Sequence, residues 1–178
     1  EPLRVLIAGA GGHGQVVADA LLSIARSNGR LKPVGFADDD ASLAGAKRLG
    51  LPVLGPIADI ATISHDRVIV GVGDNSVRRQ IYLRLVELGD QSIPVIHPAA
   101  TVASDVEIGD GTVVCAGVTL NPGARVGEDA ILNSGCIVEH HCRIAHHVHV
   151  APGAIMGGDV SLIQRPQPVK MASILLRV

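Results

Sequence analysis

The chain has 178 residues, enough for one large domain or two small ones, and 47% are hydrophobic, so a core is readily buried. A formal net charge of −2 excludes a basic footprint for nucleic acid or an acidic membrane surface, and no apolar run approaches the roughly 18 residues of a spanning helix. Apart from histidine the only aromatic residues are Phe36 and Tyr82, which points to a narrow, regular interior of Val, Ile, Leu and Ala.

Leu3 to Ala8 is a continuous apolar run, the pattern of a buried parallel strand. "GAGGHG" follows, with Gly9, Gly11 and Gly14 in G-x-G-x-x-G spacing, and then Val16, Val17, Ala20, Leu21 and Ile24 at helical intervals. Strand, glycine turn and helix together predict an anion site, because the glycines admit a close ligand and the helix start supplies free N–H groups. A second strand, Pro33 to Ala37, ends in "DDD" from Asp38 to Asp40, where an acidic residue suits a ribose hydroxyl. A further strand starts at Arg67, and a helix is expected from about Ser76 to Leu88. This α/β portion stops near residue 97, too short for both halves of a dinucleotide fold. A mononucleotide or nucleotide-sugar site fits its size better, and a ligand-free tight turn is the plain alternative.

From Val102 the chain divides by six: VASDVE, IGDGTV, VCAGVT, LNPGAR, VGEDAI, LNSGCI, VEHHCR, IAHHVH, VAPGAI, MGGDVS. Every first position is aliphatic or Met, and every fifth is small or β-branched. That period predicts a parallel β-helix, with three hexads to a coil, first positions inward and fifth positions at tight corners. Cys136 and Cys142 occupy fifth positions, which suits inert packing. Three cysteines with no C-x-x-C, and no basic-then-apolar leader at the N-terminus, predict a reduced, cytoplasmic protein.

Five of the eight histidines, His140, His141, His146, His147 and His149, fall within two adjacent hexads. None takes a first or fifth position, so all are candidates for the outer face. Residues eighteen apart stack, which sets His146 over Glu128 and His147 over Asp129 but no histidine over another. A metal needs three or four convergent ligands, so no metal site is expected within one chain; a solvated surface and catalysis remain open.

"IAGAGGHGQVVADAL", "GFADDD", "VGDNSVRRQ", the hexads from "IHPAATVASDVEIGDGTVV" to "VEHHC" and "VHVAPGAIMGG" resemble the sugar O- and N-acyltransferases of the sialic acid O-acetyltransferase and UDP-4-amino-sugar N-acetyltransferase type. The resemblance spans roughly residues 3 to 162. It implies an α/β Rossmann-like domain over residues 1–97 and an all-β, left-handed parallel β-helix over 98–162. It further implies acetyl-CoA as cosubstrate, a nucleotide-sugar or sugar substrate, and a homotrimer with sites between neighbouring β-helices. His140 takes the place of the family's general base, with His141 beside it; His149 and Gly158 fall on positions next to the acetyl group. Gly11, Gly12, His13, Asp38, Asp39 and Gly73 match the nucleotide-sugar contacts. The family usually sets Asp or Glu where this chain has His141. After Ser161 the rhythm gives way to an atypical tail, 163–178, where further coils are expected to shape the acetyl-CoA groove. That departure keeps a second reading in play: a catalytically silent relative that binds a nucleotide-sugar or a protein partner.

Overall fold

A computed structural model of the chain describes residues 1–163; the atypical tail from 164 onward lies outside the described residues. The N-terminal part is a five-stranded sheet. Strands β1 (Leu3–Ala8), β2 (Leu31–Ala37), β4 (Leu51–Gly55) and β5 (Arg67–Val70) run parallel, and the short β3 (Lys47–Arg48) closes one edge antiparallel, in the order β3-β4-β2-β1-β5. Val5, Leu6, Ile7 and Ala8 are wholly buried, as the unbroken apolar run requires of a strand covered on both faces. Helix α1 (Gly12–Asn28) buries Val17, Ala18, Leu21 and Ile24 and stops at Gly29, whose φ of 67° is left-handed. Helix α2 (Asn75–Glu87) is capped by Asp74, whose carboxylate accepts from the N–H groups of Ser76 and Val77 at 2.9 Å.

The second part is a left-handed parallel β-helix, a three-faced prism of two-residue strands. The first face stacks Val95–Ile96, Val113–Val114, Ile131–Leu132 and His149–Val150. The second stacks Thr101–Val102, Thr119–Leu120, Ile137–Val138 and Ile155–Met156. The third stacks Glu107–Ile108, Arg125–Val126, Arg143–Ile144 and Ser161–Leu162. Pairing joins residues eighteen apart throughout, for example Leu120 with Val138. The stack begins one rung before the hexads counted from Val102, because Ile96 is itself a first position and Ala100 its small fifth. First positions from Val114 to Met156 are buried, and so are the fifth positions Ala124, Ala130, Cys136 and Cys142.

The fourth position of successive hexads is where the chain turns the corner. Gly111, Gly117, Gly123, Asp129, Gly135, His141, His147, Gly153 and Asp159 all take positive φ there. Glycine adopts this at no steric cost; His141 (φ 57°), His147 (φ 60°) and Asp159 (φ 61°) do so against their own preference.

The two parts meet on the first face. Its outward residues Val95, Val113 and Ile131 are 0 to 1% exposed, although a prism face would otherwise be open to water. Hydrophobic contacts run unbroken from β1 and α1 into the coils. Outward residues of the third face, Glu107, Arg125 and Arg143, are exposed. The second face mixes Thr101 and Thr119 with Ile137 and Ile155, and Ile155 is 59% exposed.

Candidate active site

Docking of α2 on the edge between the third and first faces sets the frame. Arg78 is 1% exposed. Its Nε donates to the Asp129 carbonyl at 3.0 Å, and its Nη2 donates to the His147 carbonyl at 2.8 Å and to Asn75 Oδ1 at 2.9 Å. The Asp129 carboxylate lies 3.4 Å from the guanidinium and 2.8 Å from His147 Nδ1. Tyr82 reaches the Asp110 carbonyl and Glu128 along the same edge. His147 is therefore 8% exposed and belongs to this seam, not to the outer face its hexad position suggests. Burial, with Arg79 and Arg78 nearby, pushes its pKa down to about 4, and burial pushes Asp129 up to about 7 against the pull of Arg78.

Beside the seam, the turns after β1 and β5 lie at the point where the strand order reverses, which is where such sheets hold a ligand crevice. Gly9 (φ 109°) turns the chain, and a Cβ there would strike Val72 and the Gly71 carbonyl. Gly11 and Gly12 face open space, and α1 starts with no side-chain cap, so its first N–H groups and its dipole are left for an anion. Asp38 braces this turn: its Oδ2 accepts from the Ala10 N–H at 2.6 Å and its Oδ1 from the Asp40 N–H at 2.9 Å. Asp39 Oδ1 accepts from the Ile57 N–H at 2.8 Å. Both acidic side chains thus support the crevice wall through backbone bonds.

His13 and Gly73 close the crevice floor against the prism. The His13 ring stands 6.3 Å from that of His149, whose Nε2 is 2.9 Å from Asn133 Nδ2. His13 Nε2 is buried with no hydrogen-bond partner among the described residues. Burial, then His149 and Arg78, push the His13 pKa down to about 4. Burial and Arg78 also lower His149, against the Gly73 carbonyl, which favours its charged form. Both rings are neutral at physiological pH by these shifts, and a neutral imidazole both donates and accepts.

A second cluster occupies the edge between the second and third faces. His140 and His141 bring their Nδ1 atoms within 3.1 Å, with rings at 78°. Gly158, eighteen residues after His140, lies flat against its imidazole; a Cβ there would sit 2.5 Å from Cε1. Asp159, eighteen after His141, sets a carboxylate oxygen 3.9 Å from His140 Nδ1. It supplies from the next coil a negative charge that His141 does not. Glu139 turns away, accepting from Asn121 Nδ2 at 3.0 Å. Donor atoms of His140, His141 and Asp159 all lie within 4.8 Å of one another, although single-chain stacking of histidines gave no reason to expect such a group. His140, His141 and Gly158 are thus brought together, as are Gly11, Gly12, His13, Gly73 and His149, but the two groups stand at different places on the prism. Asp159, Arg78 and Asn133 complete them; the eighteen-residue offset from His141 was the one sequence signal for Asp159.

The PglD N-terminal domain family matches residues 4–85. The acetyltransferase domain of PglB from Neisseria gonorrhoeae FA1090, in complex with acetyl coenzyme A, superposes with a TM-score of 0.83 at 32% identity over 91% of this chain and 77% of that one. The chain belongs to the sugar N-acyltransferase family. PerB from Caulobacter crescentus, in complex with CoA and GDP-perosamine, is a further structural relative in this family, with a TM-score of 0.78 and 32% identity over 88% of this chain and 72% of that one. UDP-N-acetylbacillosamine N-acetyltransferase of Bacillus subtilis (strain 168) is 36% identical over 114 residues, 64% of this chain. The chain spans about half (51%) the length of that acetyltransferase. Among the described residues no helix is long and apolar enough to cross a membrane.

Proposed function

We propose that the protein transfers an acetyl group from acetyl-CoA to the amine of a nucleotide-linked amino-sugar, with His140 as general base. The observation that carries this reading is the packing of His140 against Gly158, with Asp159 and His141 behind its Nδ1. With the Nδ1 proton held toward His141 and Asp159, Nε2 keeps its lone pair to take a proton from the neutral sugar amine as that amine attacks. The amine nitrogen then bonds to the thioester carbonyl carbon, and the backbone N–H of Gly158 is suited to the oxygen as negative charge develops there. The C–S bond breaks, CoA leaves as thiolate, and His140 returns a proton to it. Atoms and charge balance, and no covalent enzyme intermediate is needed.

The nucleotide belongs in the crevice of the first part. Uncapped N–H groups at Gly11 and Gly12 suit its phosphates, and the orphaned His13 Nε2 offers a buried group to the ligand. That crevice and His140 stand at different places on one prism. A homotrimer that sets the second face and its edge beside the seam of a neighbour would complete the site, and the exposed Ile155 on that face supports such packing.

A thiol-release assay with acetyl-CoA and UDP- or GDP-linked 4-amino-sugars tests the reading. The expected result is turnover that His140→Ala lowers by roughly 10²- to 10⁴-fold at unchanged melting temperature. Undiminished turnover in His140→Ala removes the base; nucleotide-sugar binding without acetyl-CoA binding, read by calorimetry, removes the transferase.

A further inference from the structure

We propose that His140, His141 and Asp159 form a binding site for a zinc-class divalent transition-metal ion, and that occupancy of this site silences His140. Geometry comes first. A tetrahedral zinc ion with nitrogen ligands at about 2.0–2.1 Å holds its ligand atoms about 3.3 Å apart. The His140 and His141 Nδ1 atoms are 3.1 Å apart, and the Asp159 oxygen is 3.9 Å from His140 Nδ1. All three donor atoms fall within 4.8 Å of one another, so the farthest pair must close by at most about 1.5 Å to hold an ion. Two imidazole nitrogens and one carboxylate oxygen are the ligand types that zinc, nickel and copper accept. Both imidazole groups and the carboxylate are exposed, so an ion has an open path and water can fill the fourth position.

Backbone conformation adds a second, independent argument. Adjacent residues of an extended chain point to opposite sides. His141 escapes that rule because its φ of 57° turns its ring toward that of His140. Asp159 repeats the left-handed turn one coil later. At the same hexad position Gly117, Gly123, Gly135 and Gly153 avoid the cost, while Asp129 and His147 bear it in the seam. Two strained residues, one above the other, each aiming a donor at one point, mark a site kept for what its side chains do.

The consequence for His140 follows from its two nitrogens. An ion on Nδ1 uses that lone pair, and the neutral ring then carries its proton on Nε2. Nε2 becomes a donor and has no lone pair for the amine's proton. This half of the inference rests on His140 being the base; the metal site itself does not.

Calorimetric titration of the full chain with zinc chloride in chelator-free buffer, repeated with cobalt(II) chloride followed by visible absorption, tests it. One ion per chain is expected. Affinity should fall at least roughly tenfold in His141→Gly and in Asp159→Asn, and should be unchanged in His146→Ala, which alters the neighbouring His–Glu pair. His141→Gly adopts the turn that glycine makes in adjacent coils, so it tests the site without endangering the fold. No binding, or binding undiminished in both His141→Gly and Asp159→Asn, overturns the site. In the thiol-release assay one equivalent of zinc should abolish wild-type turnover, while any residual turnover of His141→Gly should be insensitive to it. Stoichiometric binding at these residues with turnover unchanged leaves the site standing and overturns its link to His140.

Discussion

The His140 imidazole fills the space that a side chain at position 158 would need. A methyl group at position 158 would stand 2.5 Å from its Cε1, so Gly158→Ala must push the imidazole aside. A displacement of about 1 Å in a reacting group costs about 10² in rate. The expected outcome is a loss of that order in kcat/KM with an unaltered thermal melt, since both positions are exposed. His141→Gly should do the reverse to the fold: relief of a left-handed histidine raises stability by about 1 kcal/mol, read by urea denaturation. At this scale the sequence was partly legible. Offsets of eighteen foretold His146 beside Glu128 and His147 beside Asp129, and both pairs form. The meeting of His140 with His141 was not, because alternation along a strand says that neighbours diverge. The glycines at the same hexad position in other coils held the missing information: that position turns left-handed whatever residue occupies it.

Helix α2 is seated on the prism by Arg78 together with Tyr82. Arg78 brings a full charge into the seam and bonds to two corner carbonyls there. Its removal by Arg78→Met leaves the Asp129 carboxylate buried without its cation and those carbonyls without donors. A loss of about 3–5 kcal/mol in urea denaturation is expected. Inside the prism, Leu132→Ala should cost about 2–5 kcal/mol, as its wholly buried side chain leaves a void between adjoining rungs. The cysteines should resist alkylation in the folded state: all three are buried, and burial pushes Cys115 up to about 11 and Cys136 up to about 12. Hexad spacing revealed which residues face inward. It did not reveal that the first face would be covered, although Val113 and Ile131, apolar where Glu107, Arg125 and Arg143 are charged, carried that message. His147 was misplaced for the same reason: a corner is exposed only until something docks on it.

For the whole molecule, the seam couples folding to pH. His13 and His147 titrate near 4 in the folded chain against about 6.5 when unfolded, and His149 is lowered too. Groups with depressed folded pKa give stability that is present above about 6.5 and lost as pH falls through about 4. Asp129, raised to about 7, acts the other way, favouring the folded state below about 4 and losing that advantage as pH climbs to 7. Three imidazoles outweigh one carboxylate, so the melting temperature should fall by more than about 5 °C between pH 6.5 and 4. His13→Gln should flatten that slope. The chain's division into a sheet and a prism could be read from periodicity alone, since a run of apolar residues and a six-residue beat are incompatible patterns. Their mutual placement could not, because it depends on contacts between residues such as Arg78 and His147, 69 positions apart. The prism also works as a ruler with fixed graduations. Loss of a single residue within a coil would turn every later aliphatic outward and destroy the stack above it. Loss of a whole coil of eighteen would close again without a fault, yet move every later residue by one rung, about 4.8 Å. The spacing between His140 and the glycine turn of the sheet can therefore change in this architecture only by whole steps.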